Sequence, residues 1–282
     1  ALTGDVTPQK ICVAEPIKVT VAQSDALTDC VIVRIMYRAV RAELVTVTTT
    51  GSAGSATGTA TSKPFTGEIL GIAIDYHASA PGATTDITIE GATSGLDLYA
   101  KSDSATDVYV VPALFSVSAA AAALTNDVTP RHYCVGEGVK VTLAQSDALT
   151  AAVVVRIFYE PVMAETVYVT TTGSAGSASG SATTVRTHGQ VIGLAINYHA
   201  SAPGTTDITV SMNDSAVAIY AKADSVTDVF VVPGVIALSA ADATLTSNVT
   251  PEFFVVGQRI KVALAQSDAL TNAVAVTVFS RS

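Results

Sequence analysis

Two matched histidines are the side chains whose type and spacing first suggest chemistry. His77 and His199 each follow a tyrosine and precede the run Ala-Ser-Ala-Pro-Gly. A histidine at such a place could bind a ligand or respond to pH, because imidazole titrates near neutrality. Asp75 stands before the first Tyr-His pair but Asn197 before the second, so the copies share no catalytic carboxylate there. We therefore expect each imidazole to form a hydrogen bond at the end of a strand.

Aspartates recur in two patterns. Asp86 and Asp207 lie in matched Thr-Thr-Asp-Ile-Thr segments, and three Gln-Ser-Asp-Ala-Leu-Thr segments contain Asp25, Asp147 and Asp268. Carboxylates could form acid–base pairs or calcium sites, but calcium loops carry several oxygen ligands in close succession, and no such run occurs. A single aspartate in this setting is typical of an Asx turn. We expect no catalytic, cofactor-binding or metal site.

The other reactive residue types give no stronger signal. His132 and His188 have no histidine at the matched positions of the other copies. The three cysteines, Cys12, Cys30 and Cys134, form no CxxC pair, and we interpret them as small buried apolar residues. Neither a nucleophile elbow nor a phosphate-binding loop occurs. We predict a protein that is not an enzyme and needs no cofactor.

The composition excludes several classes of protein. The 282 residues are 49% apolar and 14% charged, the reverse of the balance in disordered chains. A net charge of −9 with scattered basic residues argues against a nucleic-acid surface. No apolar run reaches the length of a membrane-spanning helix, and the first residues do not resemble a signal peptide. We expect neither nucleic acid nor a membrane as partner.

Internal repetition is the strongest feature of the sequence. A short element begins with Val-Thr-Pro at Val6, Val128 and Val249, and each copy runs on to Gln-Ser-Asp-Ala-Leu-Thr. A long element, which opens with Thr-Thr-Thr-Gly-Ser-Ala-Gly-Ser-Ala, begins at Thr48 and again at Thr170. The period of roughly 120 residues is that of a domain and not of a solenoid repeat.

The order of the elements divides the chain into an N-terminal partial repeat, residues 1–42, and two units, 43–164 and 165–282. Alternating segments such as 17–21 are typical of half-buried strands, and small polar turns separate them. In the first long element we expect strands near 44–50, 55–62, 67–76, 84–90, 95–101 and 107–112. The pattern predicts an all-β protein with two tandem β-sandwich or jelly-roll-like domains.

The partial repeat has two candidate strands with the same apolar faces as the other short elements. An isolated two-stranded hairpin is marginal in water. We predict that residues 1–42 form a hairpin-like element that adds to a sheet edge, in the same chain or in a neighbouring subunit. The alternative is that they end a third domain whose first half lies upstream.

Two sets of segments carry a resemblance to a known family. GEILGIAIDYHASAP at 67–81 with TTDITI at 84–89, and KVALAQSDALTNAV at 261–274, resemble capsid-associated structural proteins of tailed bacteriophages. The resemblance covers both complete units. It implies a non-enzymatic virion protein that decorates or cements a phage capsid. It also implies contacts with the major capsid protein or other virion proteins. Because oligomers of this kind usually close their symmetry, we expect a homo-oligomer such as a trimer.

Other functions stay open at this point. The chain could be the major coat subunit of a jelly-roll virus, or a carbohydrate-binding or adhesin module at a surface. Sugar platforms expose aromatic side chains, whereas this sequence is 6% aromatic and lacks tryptophan. A glycosidase needs two carboxylates facing each other across a cleft, and no spacing suggests such a pair.

Overall fold

The computed structural model describes residues 40–79, 81–114, 120, 130–185, 189–235 and 251–281, and these contain strands and no helix. This confirms the all-β prediction. The strands form two sandwiches, a first one from residues 41–161 and a second one from residues 163–281. The predicted strand at 17–21 and nearly all of the partial repeat lie outside the described residues.

The first sandwich contains the strands β1 Arg41–Val47, β2 Ala56–Thr61, β3 Gly67–Tyr76, β4 Asp86–Gly91, β5 Asp97–Lys101, β6 Val108–Val110, β7 Ala113–Leu114, β8 Arg131–His132, β9 Cys134–Val135, β10 Val139–Ser146 and β11 Val153–Pro161. One sheet has the order β1-β11-β3-β6, with β9 also paired to β3, and the other has the order β2-β10-β4-β5. The strands β7 and β8 pair with each other. All six strands expected in the long element are present, although β1 begins earlier than predicted because its pairing with β11 extends back to Arg41.

The second sandwich repeats this plan with the strands β12 Met163–Val169, β13 Ala178–Thr183, β14 Gly189–Tyr198, β15 Asp207–Met212, β16 Ala218–Lys222, β17 Val229–Val231, β18 Gly234–Val235, β19 Glu252–Val256, β20 Ile260–Ser267 and β21 Val274–Arg281. Its sheets have the orders β12-β21-β14-β19-β18 and β13-β20-β15-β16, and β17 also pairs with β14.

Each sandwich has its own core, formed by alternate side chains that point inward from both sheets. In the first sandwich, Ile72 and Ile74 of β3 and Val155 of β11 belong to the same buried cluster as Ile89 of β4 and Val141 of β10. The matched residues of the second sandwich form a second buried cluster. Burial of β-branched side chains between two pleated sheets therefore stabilises both units.

The two long strands of each described short element lie at the centre of the sheets and not at their edges. In the first sandwich β10 pairs with both β2 and β4, and β11 pairs with both β1 and β3. The strands β20 and β21 take the same central places in the second sandwich. A long element and its short element therefore complete each other, because neither forms a continuous sheet without the other.

Both units have a β-bulge at the same position, and it shapes the outer face of one sheet. The register of β11 against β3 skips Leu70, and the register of β21 against β14 skips Ile192. A bulge of this kind redirects the extra side chain. A Cβ atom on the next residue, Gly71 or Gly193, would collide with the aromatic side chain of β6 or β17, so glycine is needed where that ring crosses the strand.

Candidate functional site

The repeated aspartate of the short element binds the loop that opens the long element. Asp147 Oδ1 accepts a hydrogen bond of 2.9 Å from the Gly54 amide, and Asp268 Oδ1 accepts one of 2.8 Å from the Gly176 amide. The carboxylate thus reaches across to another element, whereas the sequence suggested a local Asx turn. The reason is that central pairing of β10 and β20 brings the turn after each strand beside this Gly-Ser loop. Asp25, in the first short element, lies outside the described residues.

The second repeated aspartate is also bound within the scaffold. Asp86 accepts hydrogen bonds from Gln145 Nε2 at 2.7 Å and from the Asp103 amide at 3.1 Å, one on each oxygen. Gln145 has a positive φ of 51°, and it lies where the register of β10 against β2 shifts, between Leu143 and Ser146. Asp207 makes the corresponding bonds in the second unit, with Gln266 Nε2 and the Asp224 amide.

The matched histidines form the local hydrogen bonds that we expected. Nδ1 of His77 accepts from the Ser79 amide, and Nδ1 of His199 accepts from the Ser201 amide, each at 3.1 Å. Each ring therefore closes a turn where β3 or β14 ends. His188 lies outside the described residues.

No group of three or more histidine, cysteine, aspartate or glutamate side chains in the described part of the chain could hold a metal ion. The described residues also include no helix with the length and apolar character needed to cross a membrane. The repeated aspartates thus fix one element to another, and the repeated histidines close local turns, in both units and in the same way.

The contact between the two sandwiches, which we call the junction, is organised differently from the repeated polar contacts. It is a buried apolar cluster consisting of Cys134, Ile192, Phe230, Val232 and Phe279. Leu96, Leu114 and Tyr133 of the first sandwich pack against it, as does Val162, which lies between the two sandwiches. The Tyr133 and Phe230 rings have centroids 5.4 Å apart, and those of Phe230 and Phe279 are 6.0 Å apart. These distances are typical of favourable aromatic pairs.

Cys134 shows how completely the junction excludes water. Only 1% of its surface is exposed, and burial raises the pKa of its thiol well above the ordinary value. A thiol in this state is a small apolar residue with little reactivity. The prediction of a buried, unpaired cysteine is therefore confirmed for Cys134, whereas Cys12 and Cys30 lie outside the described residues.

Charged side chains surround this apolar cluster. Arg281, at the end of the second sandwich, forms ion pairs with Glu68 and Glu160 of the first. The Arg131 guanidinium lies 4.5 Å from the centroid of the Phe253 ring, which is a cation–π contact. It also donates a hydrogen bond to the backbone carbonyl of Pro251 in the second sandwich. Both contacts join the two sandwiches.

His132 lies beside this charged rim, in strand β8. Burial lowers its pKa, the nearby Glu68 raises it and Arg281 lowers it, with burial the largest of the three effects. Its Nδ1 is buried and has no hydrogen-bond partner among the described residues. Sequence reasoning treated His132 as incidental because no other copy has a histidine there. A histidine in only one copy of the repeat was nevertheless a signal for a contact made by that copy alone, since contacts used by only one copy need not recur.

A cavity of about 330 Å³ lies next to the junction and is lined by both sandwiches. Two carboxylates, Asp97 and Asp228, are among its lining residues. Asp228 already accepts a hydrogen bond of 2.7 Å from the Tyr198 amide, and Asp107 accepts the same bond from Tyr76 in the first sandwich. Asp228 therefore belongs to the repeated scaffold, and the cavity results from the way in which the sandwiches meet.

Comparison with known proteins gives no family. No protein-family model and no curated protein matches the chain. Among solved structures, a subviral particle of VP2 from infectious bursal disease virus is 10% identical, with 86% of this chain and 72% of that chain covered and a TM-score of 0.21. The T13 particle of the same virus is 11% identical, with 86% and 69% covered and a TM-score of 0.20. Such TM-scores do not establish a shared fold and support no functional assignment.

Proposed function

We propose that this protein is a non-enzymatic structural component of a virion that decorates or cements a phage capsid through contacts between subunits. The observation that carries the proposal is how the repeated polar residues are used. The aspartates, glutamines and histidines that recur between units form hydrogen bonds within the scaffold. In the described residues no group of three or more histidine, cysteine, aspartate or glutamate side chains could hold a metal ion.

The sandwich scaffold suits this role physically. A protein that reinforces a shell needs a rigid body and surfaces with few charges, since the centres of subunit contacts are depleted of charged residues. Two cores joined by an apolar junction supply the body. The low charged fraction of 14% supplies weakly charged surfaces. The family resemblance of the segments near His77 and Asp268 adds the capsid as the partner.

Particles from the source of this sequence provide the test. We expect the full chain to co-purify with density-gradient-purified particles in a fixed ratio to the major capsid protein, measured by quantitative mass spectrometry. A mild chaotrope should then release the chain while the shell stays closed in electron micrographs, and the re-added full chain should rebind. Absence of the chain from particles would contradict a virion role, and loss of the shell together with the chain would identify a major coat subunit instead.

The domain division is part of the proposal. We propose that the two units predicted as residues 43–164 and 165–282 are the two domains, with strands that span 41–161 and 163–281, and that the partial repeat before Arg41 supplies strands to a sheet elsewhere in the assembly. In the described copies the strands of a short element lie between two strands of a long element, and these central places are already filled in both sandwiches. A chain without residues 1–39 should therefore assemble more weakly on particles, and unchanged assembly would contradict strand addition.

A further inference from the structure

The cavity beside the junction combines aromatic walls with hydrogen-bond acceptors. Its volume of about 330 Å³ is large enough for a small ligand, and ligand sites often lie where two domains meet. The rings of Tyr133 and Phe230 line it, together with the amide of Asn197 and the carboxylates of Asp97 and Asp228. None of the described residues that line it is basic. The cavity therefore has two negative charges and contributes no positive charge of its own.

The two carboxylates keep their charge for a ligand. Asp228 uses Oδ1 for the hydrogen bond from the Tyr198 amide, which leaves its second oxygen available. Asp97 is exposed at the start of β5, and the second unit has Ala218 at the matched position. Within the described part of the chain, neither side chain belongs to an ion pair. Two like charges around one cavity favour the binding of a cation between them.

The first sandwich shows which cation the matching sheet face accepts. There Arg156 of β11 pairs in register with Ala73 of β3, and its guanidinium forms an ion pair with Asp75. Ala73 and Asp75 correspond to Ala195 and Asn197, which line the cavity of the second sandwich. The first copy of this sheet face therefore carries a guanidinium at the place where the second copy has the cavity.

The second sandwich lacks that guanidinium. Thr277 of β21 takes the position of Arg156, in register with Ala195, and shares a hydrogen bond of 2.8 Å with Thr166. A threonine side chain is several atoms shorter than an arginine side chain, so it does not reach along the sheet face as Arg156 does. Asn197 replaces the carboxylate of Asp75, while Asp97 brings a carboxylate from the other sandwich.

We propose that the cavity binds a guanidinium group, which a small molecule or an arginine side chain of another protein supplies. The N–H groups of the ligand donate to the carboxylates of Asp97 and Asp228, and its flat face lies against the aromatic wall. A guanidinium suits this lining better than an ammonium group does, because it is planar, stacks on rings and has donors on two edges. The inference does not rest on the virion role, since a chain that binds particles without this ligand, or the ligand without particles, would separate the two proposals.

A titration of the full chain followed by nuclear magnetic resonance tests the site. The probe is N-acetylarginine methylamide, and the matched control compound is N-acetylcitrulline methylamide, which has nearly the same shape but no charge. We expect a dissociation constant on the order of 1 mM for the arginine compound. The citrulline compound should bind about tenfold more weakly or not at all, because it cannot form charge-assisted hydrogen bonds. Equal binding of the two compounds, or binding of neither, would overturn the proposal.

Two matched variants separate the site from the scaffold. Asp228→Asn keeps an acceptor oxygen for the Tyr198 amide but removes the charge, so binding of the arginine compound should weaken by about tenfold. Asp107→Asn is the control, because Asp107 accepts the same bond from the Tyr76 amide and does not line the cavity. We expect unchanged binding for this control. Equal effects of the two substitutions would overturn the assignment of the cavity as the site.

A third variant restores the guanidinium of the first copy. Thr277→Arg should place its own cation on the sheet face and abolish binding of the arginine compound, with the fold confirmed by circular dichroism. Unchanged binding by this folded variant would overturn the proposal. The capped peptide acetyl-Gly-Gly-Arg-Gly-Gly-amide distinguishes the sources of the ligand. Binding at least as tight as that of the single residue would support an arginine of another protein, and exclusion of the peptide alone would support a small molecule.

Discussion

The paired bulge residues Ile192 and Leu70 allow the strength of the junction to be measured by one substitution made twice. Both are aliphatic side chains of the same size at the same position of the repeat, but Ile192 is 3% exposed in the junction and Leu70 is half-buried. Truncation to alanine removes three carbon atoms in each case. The difference in cost therefore reports what the junction adds.

The magnitude follows from burial. At about 0.8 kcal/mol for each buried methylene-sized group, Ile192→Ala loses about 2.4 kcal/mol of transfer free energy, and the cavity left behind raises the cost to about 3 kcal/mol. Leu70→Ala should lose about half the transfer free energy, about 1.2 kcal/mol, with little cavity cost because solvent already reaches the site. We expect a gap of about 2 kcal/mol between the two variants.

Urea denaturation at low protein concentration, followed by far-UV circular dichroism, is the assay, since the chain has no tryptophan. A second probe is the thiol reactivity of Cys134 in a background with Cys12→Ser and Cys30→Ser. Loosening the junction in Ile192→Ala should make Cys134 react before the sheets unfold, because its burial depends on the second sandwich. Equal destabilisation by the two substitutions, with Cys134 protected in both, would refute the view that the junction is a stabilising contact.

Three further predictions concern single residues. Burial lowers the pKa of His132, so the unfolded chain binds the proton more tightly and the folded state loses stability as the pH falls below about 6.5. In urea titrations at several pH values, His132→Phe should therefore gain stability relative to the wild type as the pH falls. A difference in stability that stays constant with pH would contradict this. Asp147→Ala and Asp268→Ala each remove one hydrogen bond to a loop amide and should each cost about 1 kcal/mol by the same measurement, whereas a large inequality would show that the loops are not equivalent. Gly193→Ala should cost about 1–3 kcal/mol because its Cβ meets the ring of the junction phenylalanine, whereas Gly204→Ala, with open space around it, should be close to neutral in calorimetry.

The strands of this fold could be predicted from the sequence, but their neighbours could not. Period-two alternation and turn residues located the six strands of the first long element to within a few residues. Alternation shows which side chains share a face of a strand. It contains no information on whether β10 and β11 pair at an edge or between two strands, because pairing joins segments far apart in the sequence. Only the structure therefore shows that β10 and β11 of the short element insert at the centre of the sheets.

The junction was missed for a related reason. Cys134 and Val255 are small apolar residues at the same position of the repeat, and nothing local distinguishes them. One is almost fully buried and the other is 67% exposed, because only the first has a sandwich packed on it. Repetition reveals what both units need for folding, such as the bonds of Asp147 and Asp268. It conceals what one unit does for the other.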